Sequence, residues 1–261
     1  MPSAPSSFPD TTGPTPPGVC IDAGRLTFDD EVLFDDLSVT LAAGRWTCLL
    51  GPSGIGKTSL IKMIAGLVPT SPTTRIQCDD GGPLVGRIAY MAQQDLLMPW
   101  LSLIDNVTVG ARLRTGRKAA PDLEARGREL LDRVGLAARA DDRPAVCSAG
   151  MRQSAALART LLEDRPVVLM DEPFSALDAI TRVRLQSLAA ELLVGRTVLL
   201  VTHDPLEALR LGHAVHVMSG RPARLDEALE PDGEPPRDPT DPALIARQAE
   251  LLSRLLAASA S

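Results

Sequence analysis

Gly51-Pro52-Ser53-Gly54-Ile55-Gly56-Lys57-Thr58 fits the pattern G-x-x-x-x-G-K-[ST], and the residues on either side of it decide the fold. Before it, Thr47-Cys48-Leu49-Leu50 reads as a short apolar strand, and after it Ser59 to Ala65 carries apolar residues at helical spacing. A strand, a glycine-rich loop and a helix in that order make a phosphate-binding loop. The glycines let successive backbone N–H groups turn inward toward phosphate oxygens, and the helix adds the positive end of its dipole. Lys57 is expected to reach the β- and γ-phosphates of a nucleoside triphosphate, and Thr58 to ligate Mg²⁺. The competing reading is a glycine-rich turn with a solvated lysine. Lysine occurs only at positions 57, 62 and 118 in a chain whose other positive charges are arginine, which argues against chance placement.

The second element is Val167-Val168-Leu169-Met170-Asp171-Glu172-Pro173. It sets two acids directly after an apolar run of the kind buried in a parallel sheet, at the carboxyl edge where such sheets bind ligands. Asp171 suits Mg²⁺ coordination, and Glu172 suits orienting or deprotonating an attacking water. His203 follows a further apolar run, Thr197 to Thr202, and is expected at the same edge, where an imidazole could hold the γ-phosphate or the water. His213 and His216 receive no role.

The 261 residues, 44% hydrophobic and 23% charged, are ordinary globular composition, and the alternation of strands and helices gives an α/β fold. A net charge of −6 disfavours a nucleic-acid binder, whose usual footprint is basic. No apolar run approaches the roughly eighteen residues needed to span a bilayer, and Met1 to Ser7 lacks the basic and apolar regions of a signal peptide. The cysteines at 20, 48, 78 and 147 show no C-x-x-C spacing, so buried neutral thiols are expected. Strand-like runs are expected at Cys20–Phe28, Leu37–Leu41 and Gly86–Met91. Helical periodicity runs from Trp100 to about Asp164, broken by loops at Thr115–Ala120 and Asp141–Ser148. Near the end, Asp241 and Pro242 read as an N-cap and first helical position. They open a helix with Leu244, Ile245, Leu251, Leu252, Leu255 and Leu256 on one side, expected to dock on the core.

In the order and spacing of these motifs the chain resembles, from about residue 20 to residue 220, the nucleotide-binding subunit of ATP-binding cassette (ABC) transporters. Gln93 is similar to the family's Q-loop glutamine, Ser175-Ala176-Leu177-Asp178 to its D-loop and His203 to its switch histidine. Phe28 matches the aromatic that stacks on adenine, although a strand-core role is equally open to it. The signature, usually Leu-Ser-Gly-Gly, reads Cys147-Ser148-Ala149-Gly150-Met151-Arg152-Gln153-Ser154 here. Ser148 and Gly150 keep the hydroxyl and the unhindered N–H that the resemblance assigns to ATP held by the opposite subunit. Ala149 adds a methyl group, which is expected to weaken or slow closure, and Ser154 replaces a common arginine.

The resemblance implies a RecA-like P-loop NTPase core with an antiparallel β subdomain over residues 19–95 and 165–220. It further implies a helical subdomain over 96–164 carrying the signature, a Pro/Ser/Thr-rich disordered tail over 1–18 and a C-terminal extension over 221–261. ATP would be held by Phe28, by Gly51 to Ser59, by Ser148 and Gly150, and by Asp178. Thr58, Gln93 and Asp171 would serve Mg²⁺, and Glu172, His203 and Gln93 catalysis. The implied assembly is a homodimer of ATPase subunits on an integral membrane permease, served by a periplasmic or extracellular substrate-binding protein, with no nucleic acid. It would sit on the cytoplasmic face of the inner or plasma membrane.

Leu96-Leu97-Met98-Pro99-Trp100 is similar to a segment of the nitrate, sulfonate, taurine and thiamine-precursor importers, where it meets the permease. A hydrophobic joint between subdomains is an equal reading. Trp46 to Leu50, Met91 to Asp95 and Gly220 to Ala223 together most resemble the hydroxymethylpyrimidine importers. Sulfonate, taurine or nitrate import is the alternative, followed by a soluble cassette ATPase and a regulatory subunit with little turnover. Simple P-loop kinases, which lack the signature and switch elements, come last.

Overall fold

The computed structural model describes residues 15–28, 31–115 and 121–259. Most of the expected tail, and all of the loop at Thr115–Ala120 beyond its first residue, lie outside the described residues.

Among the described residues nine strands form two sheets. The larger has the order β5 (Ile88–Met91), β6 (Val167–Asp171), β7 (Thr197–Val201), β3 (Trp46–Leu50), β8 (Ala214–Ser219) and β9 (Arg224–Leu225). All neighbours are parallel except the antiparallel β8–β9 edge pair. Every residue of β3, β6 and β7 is buried, which is why these segments read as continuous apolar runs instead of alternating ones. The strand period of two divides their side chains between two cores. Trp46, Cys48, Leu50, Val168, Met170, Val198 and Leu200 face one; Leu49, Val167, Leu169, Leu199 and Val201 face the other.

The second core is closed by helix α1 (Lys57–Ile64) and by the three-stranded antiparallel sheet β2 (Glu31–Leu41), β1 (Val19–Phe28) and β4 (Arg75–Cys78). The first core continues into the helical part, α2 (Leu103–Thr115), α3 (Pro121–Arg133) and α4 (Ala149–Leu162), and into α5 (Ala179–Leu192) and α6 (Pro205–Leu211). A single 3₁₀ turn, Pro144–Val146, falls inside the expected loop at Asp141–Ser148. The expected strand at Leu37–Leu41 is the second half of the longer β2, which pairs with β1 as a hairpin.

Two expectations need correcting. Pro17 and Gly18, assigned to the tail, are buried: the Thr197 hydroxyl donates to Pro17 O at 2.8 Å, and Gly18 N donates to Asp79 Oδ1 at 2.9 Å. Composition alone does not register such specific backbone partners. The last helix, α7 (Pro242–Ser259), does begin where expected, with Ala243 N donating to Asp241 Oδ1 at 2.9 Å. Its apolar residues do not share one buried side, however. Leu244, Leu251 and Ala258 are buried and Leu255 packs partly against the core, whereas Ile245, Leu252 and Leu256 are exposed. Adjacent helical residues are about 100° apart, so three doublets of apolar residues span too wide an arc for one contact line. The connection into α7 is pinned by buried Arg237, whose guanidinium donates to the carbonyls of Leu209, Gly212, Pro231, Asp232 and Gly233.

Candidate functional site

Strands β3, β7 and β6 are neighbours, so the loops that leave their carboxyl ends emerge side by side. These are the loop after Leu50, Thr202-His203 and Glu172. Thr202 N donates to Leu49 O at 3.1 Å and Glu172 N to Val201 O at 2.8 Å, which extends the ladder to the first loop residues and fixes their relative height.

In the first loop, Gly51 has φ +154° and lies against β8: a Cβ there would stand 2.8 Å from Met218 O. Gly56, at φ +109°, would bring a Cβ within 3.0 Å of the Phe34 ring. Both positions therefore exclude a side chain, by approach as well as by backbone angle. Gly56 is the N-cap of α1 and provides no side-chain acceptor, which leaves the first-turn N–H groups available to an anion. Ser53 and Gly54 are exposed, while Pro52, Ile55, Thr58 and Ser59 are half-buried. Lys57 folds back under the loop, its Nζ donating to Gly51 O at 2.7 Å and Pro52 O at 2.9 Å. Burial holds its pKa below the usual lysine value, against the opposing pull of Glu172 and Asp171.

Asp171, the last residue of β6, is 1% exposed, and neither carboxylate oxygen has a hydrogen-bond partner. Burial raises its pKa. The Thr58 hydroxyl and Lys57 favour its charged form, the hydroxyl without a hydrogen bond of normal geometry. A buried carboxylate with two unmet oxygens costs free energy unless a cation or donor joins it. Among the described residues no three His, Cys, Asp or Glu gather as a metal set. One hydroxyl beside one carboxylate instead fits a site that Mg²⁺ would complete with waters and phosphate oxygens.

Glu172 is the centre of the polar groups at this edge. Its Oε2 lies 3.3 Å from Gln93 Nε2 and 3.3 Å from His203 Nδ1. The His203 side chain is 63% exposed and that of Glu172 only 19%, so the imidazole stands at the open side of the carboxylate. The Glu172 backbone is left-handed at φ +49°, a conformation that costs an L-residue about 1–2 kcal/mol. Its turn is held by Gln153, a residue of α4 that carried no role in the sequence reading. Gln153 Nε2 donates to Glu172 O at 2.9 Å and to Ser175 Oγ at 3.3 Å, and its Oε1 accepts from Ala176 N at 2.7 Å.

The structure thus brings together Gly51 to Ser59, Gln93, Asp171, Glu172 and His203. Other expected residues stand apart. Phe28 ends β1 and is 67% exposed, which excludes the strand-core alternative. Ser148 caps α4, its Oγ accepting from Met151 N at 3.2 Å. Asp178 caps α5 through Thr181 N at 3.0 Å. Gly150 lies under the D-loop, where a Cβ would meet Ala176 O at 3.1 Å. Among the described residues, no hydrogen bond joins Phe28, Ser148, Gly150 or Asp178 to the phosphate loop. In Leu96 to Trp100, Leu97 is buried in the joint between subdomains, while Leu96 and Trp100 are exposed. His213 is structural, its Nδ1 accepting from Trp46 N at 2.9 Å. Burial raises the Cys48, Cys78 and Cys147 thiols above their usual pKa.

The model of the ABC transporter family matches residues 34–175 of this chain. An aliphatic sulfonates import ATP-binding protein, SsuB 2 of Burkholderia cenocepacia (strain HI2424), is 40% identical over 255 residues, covering 96% of this chain and 92% of that protein. SsuB 1 of Rhodococcus jostii (strain RHA1), with the same description, is 42% identical over 234 residues, covering 88% and 90%. An uncharacterized ABC transporter ATP-binding protein of Haemophilus influenzae is also 42% identical over 234 residues, covering 88% and 95%. Among solved structures, the dimeric post-hydrolysis state of the ATP-binding cassette MJ0796 bound to ADP and Pi is similar at a TM-score of 0.71. It is 23% identical, with 82% of this chain and 99% of that one covered. At that identity the similarity speaks to the fold.

Proposed function

This chain belongs to the ABC transporter family as one of its ATP-hydrolysing subunits, and from that membership we propose that it energises the import of an aliphatic sulfonate. The names of the relatives from Burkholderia and Rhodococcus support this substrate class. They favour it over hydroxymethylpyrimidine, which rests on the likeness at Trp46 to Leu50, Met91 to Asp95 and Gly220 to Ala223. The single observation behind the hydrolytic role is the meeting of Gln93 and His203 on one oxygen of Glu172, beside Lys57 and the orphaned Asp171 carboxylate.

In the proposed mechanism the phosphate loop and Lys57 hold the β- and γ-phosphates of ATP, and Phe28 stacks on the adenine. Thr58 and Asp171, with Gln93, hold Mg²⁺, which when bound neutralises developing charge on the phosphates. Glu172 accepts a proton from the attacking water, and Gln93 and His203 fix the direction of its carboxylate. Ser148 and Gly150 of a second copy complete the site from across a homodimer, with Asp178 at the same seam. Among the described residues none of these is hydrogen-bonded to its own phosphate loop, which supports a shared site. Positioning and electrostatics are most of what phosphoryl transfer needs, so closure of the two copies gates hydrolysis. Among the described residues no helix is long and apolar enough to cross a membrane. The proposed partners are an integral membrane permease, met at exposed Leu96 and Trp100, and a periplasmic or extracellular substrate-binding protein. The working place is the cytoplasmic face of the membrane.

The test is uptake by a strain lacking the gene, comparing a labelled alkanesulfonate with taurine, nitrate and hydroxymethylpyrimidine. Selective loss of sulfonate uptake, restored by the wild-type gene, is expected. Selective loss of pyrimidine uptake would return the substrate to the thiamine-precursor reading.

A further inference from the structure

We propose that Gln153 is a positioning residue for hydrolysis, acting through the backbone of Glu172; the inference rests on the hydrolytic role proposed above for Glu172. Gln153 is 5% exposed, and its carboxamide bridges the two ends of one turn, donating to Glu172 O at 2.9 Å and accepting from Ala176 N at 2.7 Å. The same Nε2 meets Ser175 Oγ at 3.3 Å, and Ser175 Oγ itself donates to Glu172 O at 3.0 Å. Both polar ends of Gln153 are therefore committed to residues 172–176, and none is left for its own helix.

What the carboxamide holds is an unfavourable backbone. Glu172 sits at φ +49°, a conformation that persists only where surrounding bonds over-determine it. That angle aims the side chain at Gln93 and His203. On one side of Glu172 the ladder bond from its N–H to Val201 O, at 2.8 Å, belongs to the sheet. On the other side its carbonyl depends on Gln153 and Ser175. Gln153 stands on α4, the helix that Ser148 opens and caps. The bond therefore ties the helix expected to face the partner's ATP to the carboxylate expected to activate water on this chain's own ATP. Without the carboxamide, the turn can relax toward ordinary backbone angles and swing the carboxylate away from its two side-chain partners, with the phosphate loop untouched.

Gln153→Met keeps the length and bulk of the side chain and removes both polar atoms. With the full chain, ATP hydrolysis is expected to lose at least about tenfold in kcat, as misplacement of a reacting group by an ångström or so does, with KM for ATP within about twofold. Gln153→Glu keeps the acceptor for Ala176 N but sets an oxygen against Glu172 O, and should be no better than Met. In a Glu172→Gln background, Gln153→Met should cause no further loss, because residues that act as a unit are not additive. A lowered Tm with wild-type kcat in Gln153→Met, full kcat in Gln153→Glu, or an additive loss in the double variant would each overturn the inference while leaving Glu172 in its role. Wild-type kcat in Glu172→Gln alone would overturn the reading on which it rests.

Discussion

Glu172→Gln exchanges one carboxylate oxygen for an amide nitrogen and changes little else. The backbone contacts of residue 172, to Val201 O, Gln153 and Ser175, do not involve the side chain, so the left-handed turn should persist and stability should stay near wild type. Lys57 is held by Gly51 O and Pro52 O, so ATP affinity should also be unchanged. What disappears is the proton acceptor. At present one oxygen, Oε2, lies 3.3 Å from both Gln93 Nε2 and His203 Nδ1. A neutral amide can offer at most one weaker acceptor there and cannot take a proton from water at neutral pH. General-base catalysis supplies about 10²- to 10⁴-fold, so the barrier should rise by about 3–5 kcal/mol. The assay is phosphate release by the full chain under saturating ATP, alongside nucleotide binding and the oligomeric state in ATP. Turnover reduced at least about a hundredfold, with intact binding and a trapped dimer, is expected. A rate within about threefold of wild type would be worth less than 1 kcal/mol and would remove Glu172 from its role.

Two further outcomes concern stability. Burial raises Glu207 from 4.5 to about 7, and its Oε2 accepts from Gln186 Nε2 at 2.9 Å. Between those two values the folded chain keeps a proton that the unfolded chain has released. Stability from this group is therefore full below pH 4.5, falls as pH rises and is lost above about 7, by about 3 kcal/mol in all. Glu207→Gln should flatten the fall in Tm between pH 5 and 8, and parallel Tm curves for the two proteins would contradict it. Arg237→Met should lower Tm by at least about 6 °C, because five carbonyls, three of them in buried bonds, lose a charged donor. Leaving a buried acceptor without its donor costs about 1–3 kcal/mol, at least about 3 kcal/mol for three of them, and a chain of this size shifts about 2–4 °C per kcal/mol; a shift under about 3 °C would mean the connection into α7 is held by other contacts.

The sheet and its ligand edge were legible in the sequence because their signals are local. Buried parallel strands leave unbroken apolar runs such as Val198 to Val201, and the residues just beyond those runs, Glu172 and His203, must then emerge together. What was hidden depends on contacts between segments far apart in the chain. The role of Gln153 rests on backbone atoms 19 and 23 residues away, and no spacing rule marks a carboxamide on a helix as a backbone clamp. Asp171 reads as an edge acid, yet the sheet swallows it. Pro17 and Gly18 look like tail until Thr197 and Asp79 supply their partners. The apolar doublets of α7 read as one stripe, although helical geometry splits each doublet between core and solvent. The cargo leaves no trace at all in the site, because the residues gathered there are arranged for a nucleotide.

The central claim is that each hydrolytic site is built by two copies of this chain, and it can be tested by mixing two dead variants. Lys57→Ala destroys the phosphate loop and leaves the signature; Ser148→Arg blocks the signature and leaves the loop. Each alone should be inactive. In an equal mixture with random pairing, half of the dimers are mixed and each carries one intact composite site, so activity should return to about a quarter of wild type. A mixture no more active than the sum of its two parts would contradict the shared site.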